Sequence, residues 1–126
     1  MGVPIAYVPG GRFDPPFMPT KTKPYIKGTR VEIPTGVPLV EEYYSPATDI
    51  ELVAVAIAAS RYDDRDHWNL FVNGQQVCDE VYMKELPEGI FLTVILPVKA
   101  GAEIKFEFVN RSMTAKVVWL NYQALR

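Results

Sequence analysis

Cysteine and histidine occur once each in 126 residues, as Cys78 and His67. A lone thiol closes no internal disulfide, and one thiol with one imidazole cannot supply the ligand set of a structural zinc site. Basic charge is not in excess either: 13 Lys and Arg stand against 15 Asp and Glu, for a net charge of −2. Binding several phosphates takes a concentrated cationic surface, so this balance argues against nucleic acid as the main partner. Long apolar runs are missing too. No segment approaches the roughly 18 apolar residues of a membrane span, and the opening "MGVPIAYVPGG" lacks the basic start and apolar core of a secretory leader. Gly2 does not complete a myristoylation signal, because Ala6 stands where Ser or Thr is required. The expectation is a chain made and folded in cytoplasm without a signal peptide, which neither binds nucleic acid nor inserts into a membrane.

What is present is enough apolar material, 48% of residues, for one domain with a real core. Proline is unevenly placed. Nine of the eleven prolines lie between Pro4 and Pro46, and each removes a backbone donor and fixes φ. Residues 1–46 are therefore expected to form an extended, proline-rich arm with at most one short edge strand, near Thr29 to Ile33. The arm carries Tyr7, Phe13, Phe17 and Tyr25, more aromatic surface than a solvated linker holds. It either wraps its own domain or docks on a neighbouring subunit.

From residue 47 to residue 126 the signals are β. "IELVAVAIAA" alternates large and small side chains as a strand covered on both faces would. "HWNLFV" and "QQVCDEVYM" flank Asn73-Gly74, the strongest short-range hairpin signal, since both central residues of that turn need positive φ. The nearly unbroken apolar run "IFLTVILPV" suits a central strand. In "EIKFEFVN", Ile104, Phe106 and Phe108 alternate with charges, and in the last segment Val118, Leu120 and Tyr122 oppose Val117, Trp119 and Asn121. Short, evenly spaced strands without a helix predict an all-β, antiparallel two-sheet sandwich, jelly-roll-like, behind the N-terminal arm.

The stretch "SRYDDRDHWNLFVNG" holds the densest chemistry. Tyr62, Asp64, Asp66, Trp68 and Asn69 combine an aromatic face with carboxylates and an amide, the groups that stack on a pyranose and hydrogen-bond its hydroxyls. Asp64-x-Asp66 also offers hard oxygens to calcium, without the glycine and glutamate of an EF-hand. The bland alternative is a solvated acidic turn, and Trp68 and Trp119 are both natural core residues. Acidic residues from Asp63 to Glu88 could pair as glycosidase acid and base, but the chain is short for the groove such an enzyme needs. His67 and Cys78 lack any activating motif nearby, so Cys78 is expected to be a buried structural thiol and no catalytic residue or cofactor is assigned.

The aspartate-rich turn, Trp68, the "VNG" hairpin, "YMKELPEG", the "LPVKAGAEI" turn, "FEFVN" and the aromatic last strand together resemble small β-sandwich modules of bacteriophage virion proteins, in particular tail and baseplate accessory proteins. The resemblance spans roughly residues 47–123. It implies a non-enzymatic structural protein located in a virion, whose partners are copies of itself and other virion proteins, with the arm joining subunits. A carbohydrate-binding module that grips a cell-surface glycan is the alternative.

Overall fold

Asn73 and Gly74 both take positive φ, 51° and 81°, so the Asn-Gly pair closes the hairpin that its residue types demand. The computed structural model describes residues 19–126, preceded by the backbone of two short paired strands, β1 (Ala6–Val8) and β2 (Gly11–Phe13). Eight further strands follow: β3 (Pro24–Ile33), β4 (Leu39–Tyr44), β5 (Ile50–Ala59), β6 (His67–Val72), β7 (Gln75–Tyr82), β8 (Glu88–Val98), β9 (Ile104–Val109) and β10 (Lys116–Leu125). They form two four-stranded antiparallel sheets, ordered β3-β10-β5-β8 and β4-β9-β6-β7, packed as a sandwich. The pairing is nested: β3 with β10, β4 with β9, β5 with β8, β6 with β7. One long antiparallel ribbon has been rolled so that its outer turns close on its inner ones.

Period-2 alternation decides the core. Ile104, Phe106 and Phe108 of β9 and Val118, Leu120 and Tyr122 of β10 point between the sheets with Leu52, Val55, Trp68 and Leu70. Trp68 meets Phe106 with ring centroids 5.8 Å apart, and Tyr122 stacks on Tyr44 at 5.6 Å. Tyr44 is raised to about 12, first by burial and then by its hydrogen bond with the Tyr25 hydroxyl at 3.3 Å.

The expected boundary at residue 46 is corrected by β3 and β4. Residues 24–44 are not an arm but two sandwich strands, β3 pairing with β10 over its full ten residues. The prolines delimit these strands instead of breaking them. Pro24 opens β3, Pro34 follows its last residue, and Pro38 immediately precedes β4. Tyr25 accordingly lies in β3, half-buried, with the Arg126 guanidinium 4.4 Å from its ring centroid. Tyr7 and Phe13 fall in β1 and β2, whose side chains lie outside the described residues, and Phe17 lies outside them altogether.

Two further expectations are reversed. The apolar run of β8 stands at a sheet edge, not its centre, because β5 already has β10 on its other side. Trp119 is 44% exposed, whereas Trp68 is wholly buried. Parity separates them: Trp68 shares its face with Leu70 and Val72, and Trp119 shares its face with Asn121.

The sandwich begins near Thr20. The buried Glu51 carboxylate accepts hydrogen bonds from the Thr20 amide (3.0 Å), the Thr20 hydroxyl (3.0 Å) and the Lys21 amide (2.8 Å), and Lys23 and Arg126 exchange backbone bonds. A chain beginning at Thr48 therefore loses two of the eight sandwich strands, β3 and β4, and should show no cooperative thermal unfolding by circular dichroism. One beginning at Pro19 should keep a single transition.

Candidate functional site

The aspartate-rich loop between β5 and β6 does not assemble a binding site, because its residues point to different places. Asp66 turns inward. Its carboxylate accepts from the Ser112 amide and hydroxyl, both at 3.0 Å, and from the Lys116 ammonium, with both charged side chains buried. Lys116 also donates to the Ser112 hydroxyl at 2.8 Å. The backbone joins in, since the Asp66 carbonyl accepts from the Met83 amide at 3.0 Å. Nearby, Asn110 is buried and donates to the carbonyls of Val37 and Thr114 at 3.1 and 3.2 Å. Four loops at one end of the sandwich are thereby tied together through the Asp66 and Asn110 side chains and the Asp66 carbonyl.

Asp63 instead folds onto its own turn. Arg65 grips it with two nitrogens at 2.9 Å, and this side-chain hydrogen bonding holds the Asp63 carboxyl well below the usual range. Asp64 and Tyr62 are exposed. Asn69 lies on the outer face of the other sheet, accepting from the Glu80 amide at 2.8 Å. The five residues expected to grip a glycan thus include two that are buried: Asp66, bonded to Ser112 and Lys116, and Trp68, packed on Phe106 with its indole N–H unpartnered. The calcium pair dissolves for the same reason, with Asp66 already neutralised by Lys116 while Asp64 faces solvent.

His67 and Cys78 are also separated. His67 stands opposite Tyr82 and Cys78 opposite Leu70, and β6 alternation puts His67 on the side of the sheet away from the core, buried there against the Tyr82 ring at 5.0 Å, while Cys78 faces the core. Burial pushes the Cys78 thiol up, the reverse of what an activated thiolate requires.

A different surface stands out, the outer face of β3-β10-β5-β8. Register places Gly28, Asn121, Ala56 and Gly89 in one row across its four strands. With no side chain longer than an asparagine, this row is the floor of a trench. One wall is Trp119, paired to Arg30 and Ala58; the other row contains Ile26, Gln123 and Phe91. Trp119, Asn121, Ala56, Gly89 and Pro87 line a depression of about 210 Å3. Ile26 is 64% exposed and Phe91 75%. Apolar surface of this kind marks interaction sites on soluble proteins.

The opposite outer face exposes Leu39, Tyr43 and Tyr82 as well, but sets a polar network among them. There Lys105 meets Glu107 at 3.4 Å, Gln76 donates to Asn69 at 3.2 Å, and Lys105 covers the Phe71 ring at 4.5 Å. The two faces differ in degree: the most exposed apolar strand side chains, Ile26 and Phe91, belong to the first. The sequence did carry the signal for the trench: alanine alternates with large core residues in β5, and Trp119 keeps parity with Asn121.

A domain family matches residues 21–126, which takes in all eight strands of the sandwich and leaves out β1 and β2. The chain belongs to the family of the domain of unknown function DUF8551. The start of the DUF8551 match coincides with the point where Thr20 and Lys21 are fastened to Glu51. No curated protein and no solved structure matches the chain.

Within this DUF8551 domain the acidic loop is a structural lock, which a pair of substitutions distinguishes from a ligand site. Asp66→Ala leaves the Lys116 ammonium buried without its partner and should cost about 3–5 kcal/mol in urea unfolding. Asp64→Ala should leave the unfolding midpoint unchanged.

Proposed function

We propose that this chain is a non-enzymatic structural protein of a virion-like assembly, joining copies of itself and other proteins of that assembly through the outer face and edge of one sheet. The nested pairing of first strand with last, second with seventh, third with sixth and fourth with fifth is that of an eight-stranded jelly roll. Viral capsid domains and lectins share that architecture. Architecture does not by itself give function, so the argument rests on the surface. The observation that carries it is the exposed apolar band of Ile26, Phe91 and Trp119 over a floor of alanine and glycine, beside a sheet edge of the same character. Burying apolar surface contributes about 25 cal/mol per Å2, and side chains this exposed keep that free energy unspent until a partner covers them. In this reading the chain resides in the virion after being made in host cytoplasm, and the residues before Thr20 add contacts to neighbouring subunits.

One observation favours a second reading, carbohydrate binding relocated from the acidic loop to the trench. The half-exposed indole of Trp119 stands beside the Asn121 amide, with Glu88 on the same depression and Arg30 paired across the strand. A flat aromatic face with amide, carboxylate and guanidinium groups around it suits a pyranose.

Sedimentation velocity on the full chain tests the first reading: a concentration-dependent multimer that persists in high salt is expected, and a monomer at the highest soluble concentration rejects it. A glycan array tests the second. Binding that disappears in Trp119→Ala and survives in Tyr62→Ala would place a glycan in the trench, whereas no binding by the wild type removes this reading.

A further inference from the structure

Four strands end the two sheets, and three of them are protected against pairing with another chain. β3 carries Lys27, Arg30 and Glu32; β4 carries Glu41 and Glu42; β7 carries Asp79 and Glu80, with Glu80 in the left-handed region at φ 49°. Charge and local irregularity are the devices that keep exposed edges from templating a new strand. β8 bears no charge from Gly89 to Val98. Its ladder with β5 also slips. Leu52 faces Leu96 and Ala54 faces Phe91, so Leu92, Thr93, Val94 and Ile95 have no register partner on β5. This bulge and Pro97 are the shields the edge has, and neither hides Phe91, 75% exposed, or Val94, 36% exposed.

We propose that β8 pairs antiparallel with β8 of a second copy of this chain across a two-fold axis, a step that rests on the assembly reading above and names its partner and geometry. Charge selects both. The neutral run is flanked by Glu88 at its start and Lys99 directly after its end. Antiparallel self-pairing brings Glu88 of one copy toward Lys99 of the other, and symmetry makes the contact twice. Parallel pairing would set Glu88 beside Glu88. Glu88 holds Lys84 of its own chain only at 3.5 Å, and Lys99 is exposed, so both are free to take the new contact. The interior of the run presents no like charges in either register. The outcome is one continuous eight-stranded sheet made from two copies of β3-β10-β5-β8, with the Phe91 side chains and the two trenches on the same face across the seam.

The test uses the full chain, wild type beside Thr93→Lys, Val94→Lys, the neutral control Thr93→Val, the charge reversal Glu88→Lys, and the double reversal Glu88→Lys with Lys99→Glu. Sedimentation gives the association state, amide hydrogen exchange reads residues 91–95, and thermal melting checks the fold. The wild type and Thr93→Val are expected to associate in multiples of two with slowed exchange at those amides. Either lysine inside the strand should weaken association by about tenfold or more, and Glu88→Lys should weaken it with recovery in the double reversal. That recovery keeps the pairing testable even where a lysine in β8 lowers the melting midpoint. Association unchanged in both lysine variants and in Glu88→Lys overturns the β8 pairing and leaves the assembly reading standing. A monomer with slow exchange at β8 assigns the edge to the chain's own N-terminal residues and overturns the pairing. A monomer with fast exchange there overturns both.

Discussion

A buried charge pair sets the shape of one end of this sandwich. Taking Asp66 and Lys116 out of water costs several kcal/mol per ion, and their attraction repays it only when the remaining lone pairs and protons are also satisfied. Here they are: the Ser112 amide and hydroxyl fill the other positions around the carboxylate, and the Ser112 hydroxyl also receives the ammonium. Because each partner comes from a different loop, the pair can form only when β6 and β10 have reached their places. Asn110 extends the same tie to the turn between β3 and β4. The lock takes Asp66 out of the surface and leaves Tyr62 and Asp64 exposed on the loop apart from it.

This also explains what the sequence could and could not convey. Readings that depend on neighbours in the chain succeed: the Asn73-Gly74 hairpin, the alternation of β9 and the two faces of β10 all follow from residues a few positions apart. The partner of Asp66 lies 50 residues away, in a segment that reads as an ordinary basic strand start. Nothing local distinguishes Asp66 from Asp63 or Asp64. Proline misled for a related reason. A count of prolines suggests an irregular arm, but it is their position relative to strand ends that matters, and Pro24, Pro34 and Pro38 sit where a missing N–H costs no ladder bond.

Residue type outweighed position in the case of the tryptophans. A large aromatic is expected inside, which makes Trp119 as natural a core residue as Trp68, although its strand mates on the same face, Asn121 and Gln123, are polar. Parity was the better guide. With Trp119 outside, the small residues of β5 cease to be filler between two covered faces. Ala56 and Ala58 become the low ground that leaves an indole standing above its sheet.

The composition of β8 belongs to a strand covered on both sides, and its place in the sheet leaves one side uncovered. Rolling the ribbon requires an edge at β8, since β5 takes β10 as its other neighbour. A sequence selected only for the isolated sandwich would tolerate a lysine at Thr93 or Val94, where both side chains face solvent, and the other three edges show that this chain does use charge in such positions. The departure is confined to one edge and continues onto the adjoining face, where Phe91 and Ile26 stand exposed beside Gln123. On the opposite sheet the exposed Leu39, Tyr43 and Tyr82 are interleaved with Lys105, Glu107 and Asn69, which bond across its surface. In the proposed assembly, this edge and its adjoining face are where a second chain completes the burial that the isolated sandwich leaves open.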